Sequence, residues 1–241
     1  METEEKNIDL LVFHKIGKHG PYEILDNEIA EYITHELQLF TMDGQPYLYR
    51  RGYYMRDEDG KILKAHIKSL ILPELITVTR INRVYGLIMI DYRLAKKNSE
   101  INCYPATWIN FQNGMYDLLN NQMHAHDPKY LSINQIPHNY ESRADFDSSV
   151  AQQFFKGLIP DQADREMFFA YSGYCMTRDT QFQKFLVVTG APGAGKSTAI
   201  NMLMDMVGAK NTCGIALQEL GERFTATELL GKLLNACADL P

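Results

Sequence analysis

One glycine-rich stretch constrains the fold of this chain more than any other. Residues 190–197 read GAPGAGKS, and the apolar run KFLVV lies before them. The helical pattern STAINMLMDMVG begins at Ser197, and Gly208 is its expected C-cap. Glycines permit the positive φ angles with which consecutive backbone N–H groups converge on an anion. A strand, such a loop and a helix N-terminus together form a site for phosphate groups. The stretch therefore predicts an α/β fold whose loop holds a nucleotide.

Each residue type in the loop has a chemical role in that prediction. Lys196 reaches the β- and γ-phosphates, and the Ser197 hydroxyl is a ligand for Mg²⁺. The expected cofactors are therefore ATP and Mg²⁺, and an ordinary glycine-rich loop is the alternative interpretation. The expected binding residues are Gly190, Ala191, Pro192, Gly193, Ala194, Gly195, Lys196, Ser197 and Thr198.

An acidic residue is expected near the loop, to hold the metal ion or orient water. The run KLLNACADLP predicts an apolar strand that ends at Asp239. The carboxyl end of such a strand lies beside the phosphate loop in an open parallel sheet. Asp239 is therefore a candidate catalytic residue together with Lys196, and a candidate metal ligand together with Ser197. The alternative is a solvated aspartate before a turn.

The residues before the loop predict two hairpins and two helices. Turn signals at Asn113-Gly114 and Asn120-Asn121 interrupt an alternating apolar pattern. FDSSVAQQFFKGLI and DQADREMFFAYSGYCM have helical patterns, separated by Pro160, and Asp161 is an expected N-cap. The aromatic residues of the second helix are expected in the core. His124 and His126 would share a strand face, but no further metal ligand is evident.

Four short motifs precede the phosphate loop in order. They are NGMYDL (113–118), HDP (126–128), IPHNY (136–140) and SGYCMT (172–177), and FTATELLGKLLNACADLP (224–241) follows the loop. With this order and spacing, residues 108–241 resemble the helicase half of the primase-helicases of phages, satellite phages and large DNA viruses. Those proteins are superfamily 3 helicases with a preceding poxvirus-type helical domain.

The resemblance implies an AAA+-like ATPase that forms a ring, usually a hexamer, and hydrolyses ATP to move along single-stranded DNA. Lys196 and Ser197 match the family's phosphate-loop lysine and hydroxyl, and Asp239 matches an acid of its second motif. Leu240 stands where the family often has another acid. The implied partners are single-stranded DNA or a replication fork, further subunits of the ring, and a primase as an additional candidate.

The amino-terminal third predicts a compact α+β module, with a winged-helix-like arrangement as one candidate. An amphipathic helix is expected within residues 21–40, then strands joined by turns at Asp43-Gly44 and Arg51-Gly52, then a helix from about Lys61. A third helical pattern covers residues 77–94. The acidic turn at residues 57–59 is expected to be solvated.

Tyrosines and arginines alternate along the second expected hairpin of this module. They are Tyr47, Tyr49, Arg50, Arg51, Tyr53, Tyr54 and Arg56. Aromatic rings stack on bases and guanidinium groups contact phosphates, so Tyr49, Arg50, Arg51 and Tyr53 are candidate DNA-binding residues. The alternative is a two-faced hairpin, with tyrosines towards the core and arginines in water.

Composition limits the classes of partner and location. The formal net charge of -6 gives no bulk attraction to nucleic acid, so DNA binding requires a local basic surface. None of the four cysteines forms a CxxC pair, which argues against a zinc site or a disulfide framework. The sequence has no apolar run of about 18 residues and no secretory signal pattern, so we expect a cytoplasmic protein of a bacterial host or virus-infected cell, without a membrane partner.

These patterns predict three segments: an α+β module at 1–100, hairpins and helices at 101–180, and a partial P-loop ATPase domain at 181–241. The family's sensor strand and arginine finger would follow Pro241, so the resemblance implies a module that is incomplete at its C-terminus and weakly active. The sensor strand lies between the phosphate-loop strand and the acidic strand in AAA+-like sheets. Both strands are therefore expected to have unpaired edges.

The favoured function is an ATP-dependent DNA helicase, a replication protein of a phage, virus or mobile element, of which this chain is a fragment. A non-motor adaptor or loader derived from such a helicase, binding DNA or intact subunits, is the alternative. An unrelated phosphate-loop kinase or switch is a third class, but nothing in residues 1–180 suggests a site for an acceptor substrate.

Overall fold

Residues 9–17, 22–142, 150–222 and 225–237 are described by the structure, which is a computed structural model. The chain divides into a first unit of residues 1–50 and 54–101 and a second unit of residues 51–53 and 102–241. The expected boundary at 100/101 lies one residue from this division, whereas the segments 101–180 and 181–241 group together in the second unit. None of the described helices is both long enough and apolar enough to cross a membrane.

Three α-helices supply most of the core of the first unit. They are α1 (Asp26–Glu36), α2 (Lys61–Ser69) and α3 (Val78–Met89). Each buries two apolar side chains four residues apart, which places both on one face of the helix. These pairs are Ile29 and Ile33, Leu63 and Ile67, and Val84 and Ile88. The helices expected in this third of the sequence are therefore confirmed.

An antiparallel sheet lies between α1 and α2 in the sequence. Its strands are β3 (Leu39–Met42), β4 (Gln45–Arg50) and β5 (Tyr53–Arg56), and a separate short pair consists of β1 (His14–Lys15) and β2 (Glu23–Ile24). Both predicted two-residue turns are confirmed. Asp43 and Gly44 have φ angles of 50° and 71°, and Arg51 and Gly52 have 53° and 93°. Two successive positive φ angles are those of the turn type that matches strand twist in hairpins.

The acidic turn before α2 is only partly solvated, which corrects the expectation for Asp57. This side chain is 2% exposed, and its two carboxylate oxygens accept hydrogen bonds from the N–H groups of Ile62 (2.9 Å) and Leu63 (2.8 Å). Asp57 thus satisfies two of the donors that the first turn of a helix leaves free. Glu58 and Asp59 are exposed, as expected.

The second unit begins with an antiparallel sheet and continues with helices. The sheet contains β6 (Trp108–Phe111), β7 (Gly114–Asp117) and β8 (Gln122–His124). The later elements are α4 (Val150–Leu158), α5 (Gln162–Tyr174), α6 (Lys196–Val207), β9 (Thr212–Cys213), α7 (Thr225–Glu228) and β10 (Leu234–Asn235). The predicted hairpins and helices are confirmed, and the Asp161 side chain caps α5 by accepting from the N–H of Asp164.

Two hydrophobic clusters hold these elements together. The larger joins the sheet to α6 and β10, and its buried residues include Ile109, Phe111, Ile136, Leu203, Val207 and Leu234. The smaller joins α4 and α5 to α6 through Phe155, Phe168 and Ala199. Phe168 therefore packs in the core, as expected, and α6 contacts both clusters.

The prediction of a strand before the glycine-rich loop is wrong. No strand is assigned between the end of α5 and the start of α6, and Phe185 and Val187 are 80% and 47% exposed. A strand needs a hydrogen-bonded neighbour. The parallel pair of β9 and β10 does not extend to this segment. β10 covers part of the expected acidic strand, while Asp239 lies outside the described residues.

The burial of His66 makes the stability of the first unit depend on pH. Burial lowers the pKa of His66, Arg50 lowers it further, and Glu36 opposes them. The unfolded chain then binds a proton more readily than the folded chain, so the free energy of unfolding should fall as pH decreases through about 6.5. We expect His66→Gln to flatten this dependence in urea denaturation followed by circular dichroism.

His35→Gln, at an exposed position of α1, is the matched control. The comparison concerns the slope of stability with pH, so a constant loss of stability in either variant does not affect it. An unchanged slope in His66→Gln, or an equal flattening in His35→Gln, would contradict this assignment.

Candidate functional site

The glycine-rich loop runs directly into the first turn of α6. Gly193 and Gly195 have φ angles of 76° and 84°, in the left-handed region that favours glycine. Gly195 is the N-cap residue of α6, and no side chain caps this end of the helix. The N–H groups of the first turn of α6, and the positive end of its dipole, thus face the loop.

The Lys196 side chain folds back over this loop. Its ammonium donates hydrogen bonds to the carbonyl oxygens of Gly190 and Ala191, each at 2.8 Å. The hydroxyl-bearing residues Ser197 and Thr198 are exposed in the first turn of α6. A cation, two hydroxyls and a helix N-terminus therefore lie within one short segment. This chemistry suits an anion with a bound divalent metal ion.

The other end of α6 is fixed by a buried asparagine. The Asn211 amide donates to the carbonyls of Val207 (2.7 Å) and Gln135 (2.8 Å). Gly208 ends the helix with a φ of 94°, as predicted, and a Cβ at this position would lie 2.6 Å from Pro137. The end of α6 is thus held against the segment that contains the IPHNY motif.

The IPHNY motif runs beside β6. The N–H of Ile136 donates to the carbonyl of Asn110 at 2.7 Å, and the N–H of Gln112 donates to the carbonyl of His138 at 3.0 Å. A ring nitrogen of His138 lies 3.1 Å from the carbonyl oxygen of Asp205 on α6. This segment therefore connects the sheet to the helix that follows the glycine-rich loop.

The NGMYDL motif closes the β6–β7 hairpin onto the same segment. The Asn113 amide donates to the carbonyl of Tyr140 at 3.0 Å, and its oxygen accepts from the N–H of Tyr140 at 2.9 Å. Asp117 accepts from the Asn120 amide and from the N–H groups of Leu119 and Asn120. The hydrogen bond from the Asn120 side chain contributes most to lowering the pKa of Asp117.

The HDP motif fixes a turn after β8. His126 Nε2 lies 3.0 Å from Asn110 Oδ1 and 2.8 Å from the carbonyl oxygen of Phe111. Both partners are acceptors, so this nitrogen carries a proton. Asp127 accepts from the N–H of Lys129, and the ion pair with Lys129 (2.6 Å) holds the pKa of Asp127 below its ordinary value. These contacts give the motif a structural role.

The two histidines of this region are engaged separately. The His124 ring stacks on Trp108 with centroids 4.4 Å apart, whereas His126 binds the sheet. Among the described residues, no three His, Cys, Asp or Glu side chains come together in a way that could hold a metal ion.

The SGYCMT motif covers the end of α5 and the turn after it. Ser172 donates to the carbonyl of Phe168, and Thr177 donates to the carbonyl of Tyr174. The pKa of Tyr171 is raised to about 12. Burial is the largest cause, and the neighbouring Cys175 is the second largest. The motif therefore closes one helix and contributes to the core.

A family comparison bears on these motifs. The family described as D5 N terminal like matches residues 28–161 of the chain. This match covers more than half of the sequence, from α1 to the turn after α4. The chain belongs to this family. The D5 N-terminal-like family places it among the primase-helicase-like replication proteins of phages and viruses. Among curated proteins, none matches the chain.

The D5 N-terminal-like match begins well before Trp108, where the sequence resemblance was expected to begin. It includes the NGMYDL, HDP and IPHNY motifs, and it stops before the glycine-rich loop. The contacts between α6 and the sheet therefore join residues inside the family match to residues of α6, and after α6, that lie outside it.

The tyrosines of the β4–β5 hairpin differ in exposure. Tyr47 and Tyr54 are buried against Phe40, with ring centroids 4.9 Å and 4.8 Å from the phenylalanine ring. Burial raises the pKa of Tyr47. These two rings are core residues, as the two-faced alternative predicts for them.

The candidate DNA-binding residues of this hairpin are closer to the surface. Tyr49 and Tyr53 are half-buried, and Arg50, Arg51 and Arg56 are exposed. Arg51 and Tyr53 group with the second unit, whereas Tyr49 and Arg50 belong to the first. DNA binding by Tyr49, Arg50, Arg51 and Tyr53 stays a prediction.

Sequence reasoning missed Arg178, which follows the SGYCMT motif. Its guanidinium lies 4.1 Å from the centre of the Tyr104 ring and donates to the carbonyl of Tyr104 at 2.6 Å. A cleft of about 590 Å³ lies beside it, between residues 177–184 and 231–235. None of residues 190–198 lines this cleft. Residues 190–194 of the glycine-rich loop are exposed at the surface.

Asn211 should be the residue on which the end of α6 most depends. Asn211→Ala removes the donor to the buried carbonyl of Val207 and to the partly buried carbonyl of Gln135. We expect a loss of about 1–3 kcal/mol in the free energy of unfolding. Denaturant unfolding followed by Trp108 fluorescence would measure it in the second unit. Asn201→Ala, at an exposed position of α6, is the control and should change stability little. Equal stabilities of the two variants would contradict this role.

Proposed function

We propose that this chain binds ATP with Mg²⁺ through residues 190–198, as part of a DNA helicase that hydrolyses ATP to move along single-stranded DNA. The observation that carries the proposal is the glycine-rich loop itself. Left-handed glycines precede a 12-residue helix whose N-terminus has no side-chain cap, and Lys196 lies over the loop. Membership of a primase-helicase-like family supports the same class of function.

Each loop residue has a definite task in this proposal. The N–H groups of Gly193 to Lys196 bind the β-phosphate, the Lys196 ammonium neutralises the β- and γ-phosphates, and Ser197 ligates Mg²⁺. Asp239 is the proposed acid that holds the metal ion or orients the attacking water. Thr198, exposed beside Ser197, supplies a second hydroxyl to the same region.

The proposed partners follow from the helicase activity. A homo-oligomeric ring, a hexamer by resemblance, would place each nucleotide next to a neighbouring subunit, and single-stranded DNA or a replication fork would be the substrate. Arg50 and Arg51, with Tyr49 and Tyr53, are the proposed DNA contacts. Because the net charge is -6, such local arginines are needed to attract a phosphate backbone.

Removal of the Lys196 ammonium tests the nucleotide site directly. A hydrogen bond from a charged group contributes about 1.5–3 kcal/mol, so we expect Lys196→Ala to weaken ATP binding about tenfold or more. Isothermal titration calorimetry with ATP and Mg²⁺ on the 241-residue chain would measure this. Lys210→Ala, at an exposed lysine after α6, is the control with the same change in charge.

Equal binding by the wild-type chain and Lys196→Ala would contradict the phosphate-binding role of the loop. Single-stranded DNA binding, measured with a labelled oligonucleotide with and without ATP, separates the motor from an adaptor. DNA or subunit binding that is indifferent to ATP and to Lys196→Ala would favour the non-motor adaptor.

A further inference from the structure

Leu158, the last residue of α4, lies against the glycine-rich loop. A Cβ built on Gly195 would be 2.8 Å from Leu158 Cδ1. Apart from the chain neighbours of Gly195, no other described heavy atom comes within 4 Å of that position. No such atom lies within 4 Å of the equivalent position on Gly193. The loop is therefore supported at Gly195 and open at Gly193.

The position of Leu158 is itself fixed from α5. Arg165 Nη1 donates to the carbonyl of Ile159 at 2.6 Å and to that of Pro160 at 3.1 Å. Both carbonyls belong to the turn that follows α4, so the guanidinium ties this turn to α5. The turn between α4 and α5 therefore determines where Leu158 meets the loop.

Aromatic packing joins the same two helices to the first turn of α6. The rings of Phe155 and Phe168 are 5.2 Å apart. Ala199, on α6 three residues after Lys196, is 2% exposed and packs in the same cluster as these rings. Leu158 belongs to the same cluster. A shift of α4 would therefore reach α6 through Ala199 and the loop through Leu158.

We propose that Leu158 is a positioning residue for phosphate binding and that it couples nucleotide occupancy to the α4–α5 helix pair. The proposal rests on the nucleotide binding proposed above. Phosphate binding needs the N–H groups of the loop in one arrangement. Leu158 restricts the backbone conformations that Gly195 can adopt, which favours that arrangement. Coupling of this kind is reciprocal, so a bound nucleotide also restrains α4 and α5.

Truncation of Leu158 should weaken binding without removing any group that touches the nucleotide. We expect Leu158→Ala to raise the dissociation constant for ADP with Mg²⁺ about fivefold or more, within the usual range for coupled sites. Leu158→Met keeps an apolar side chain of similar volume and should bind as the wild type does. Met202→Ala, which trims the same cluster away from the loop, should also bind as the wild type does.

Hydrogen exchange supplies a readout that a purely stabilising role would not change. ADP with Mg²⁺ should slow amide exchange in α4 and α5 of the wild-type chain and of Met202→Ala. In Leu158→Ala, saturated with ADP at a higher concentration, protection should persist in the loop and be lost in the two helices.

Three results would overturn the coupling. One is unchanged affinity in Leu158→Ala, and another is an equal loss in Met202→Ala. The third is protection of α4 and α5 in Leu158→Ala equal to that of the wild type. With any of these three results, the proposed nucleotide site would still stand if ADP binding depends on Lys196. A wild-type chain that binds no ADP would overturn both the nucleotide site and the coupling.

Discussion

The hydrogen bonds of Asn211 are the constraint on which the second unit depends most. One buried amide satisfies the last turn of α6 and the carbonyl of Gln135 together, so the helix after the glycine-rich loop cannot move independently of the IPHNY segment. Pro137 leaves no room for a side chain at Gly208, which reinforces the contact. The polar motifs therefore act as scaffold, and they set the direction in which the N-terminus of α6 points.

The sequence predicted those parts of the fold that local chemistry decides. The turns at Asp43-Gly44 and Arg51-Gly52, the Asp161 cap and the Gly208 helix end all follow from the conformational preferences of one or two residues. The loop glycines belong to the same class, because the GAPGAGKS pattern predicts positive φ angles and Gly193 and Gly195 adopt them.

The remaining features depend on partners that are distant in sequence. The apolar run before the loop has the composition of a strand, but a strand requires a hydrogen-bonded neighbour that sequence pattern cannot provide. Asp57 looks solvated in sequence because its neighbours are charged, and only the position of the first turn of α2 buries it. The role of Arg178 could not be predicted from the sequence, because its partner, Tyr104, lies 74 residues away.

If the chain binds the proposed nucleotide, the position of Lys196 would explain how an acidic chain attracts it. Its ammonium binds two neutral carbonyls of the loop, and hydrogen bonds to an ionised acceptor are roughly twice as strong. Phosphate oxygens would therefore displace the carbonyls. Because the side chain is already ordered over the loop, the proposed binding would avoid part of the rotamer entropy, up to about 2 kcal/mol, that a free lysine would lose. With a net charge of -6, this local preorganisation has to replace long-range attraction.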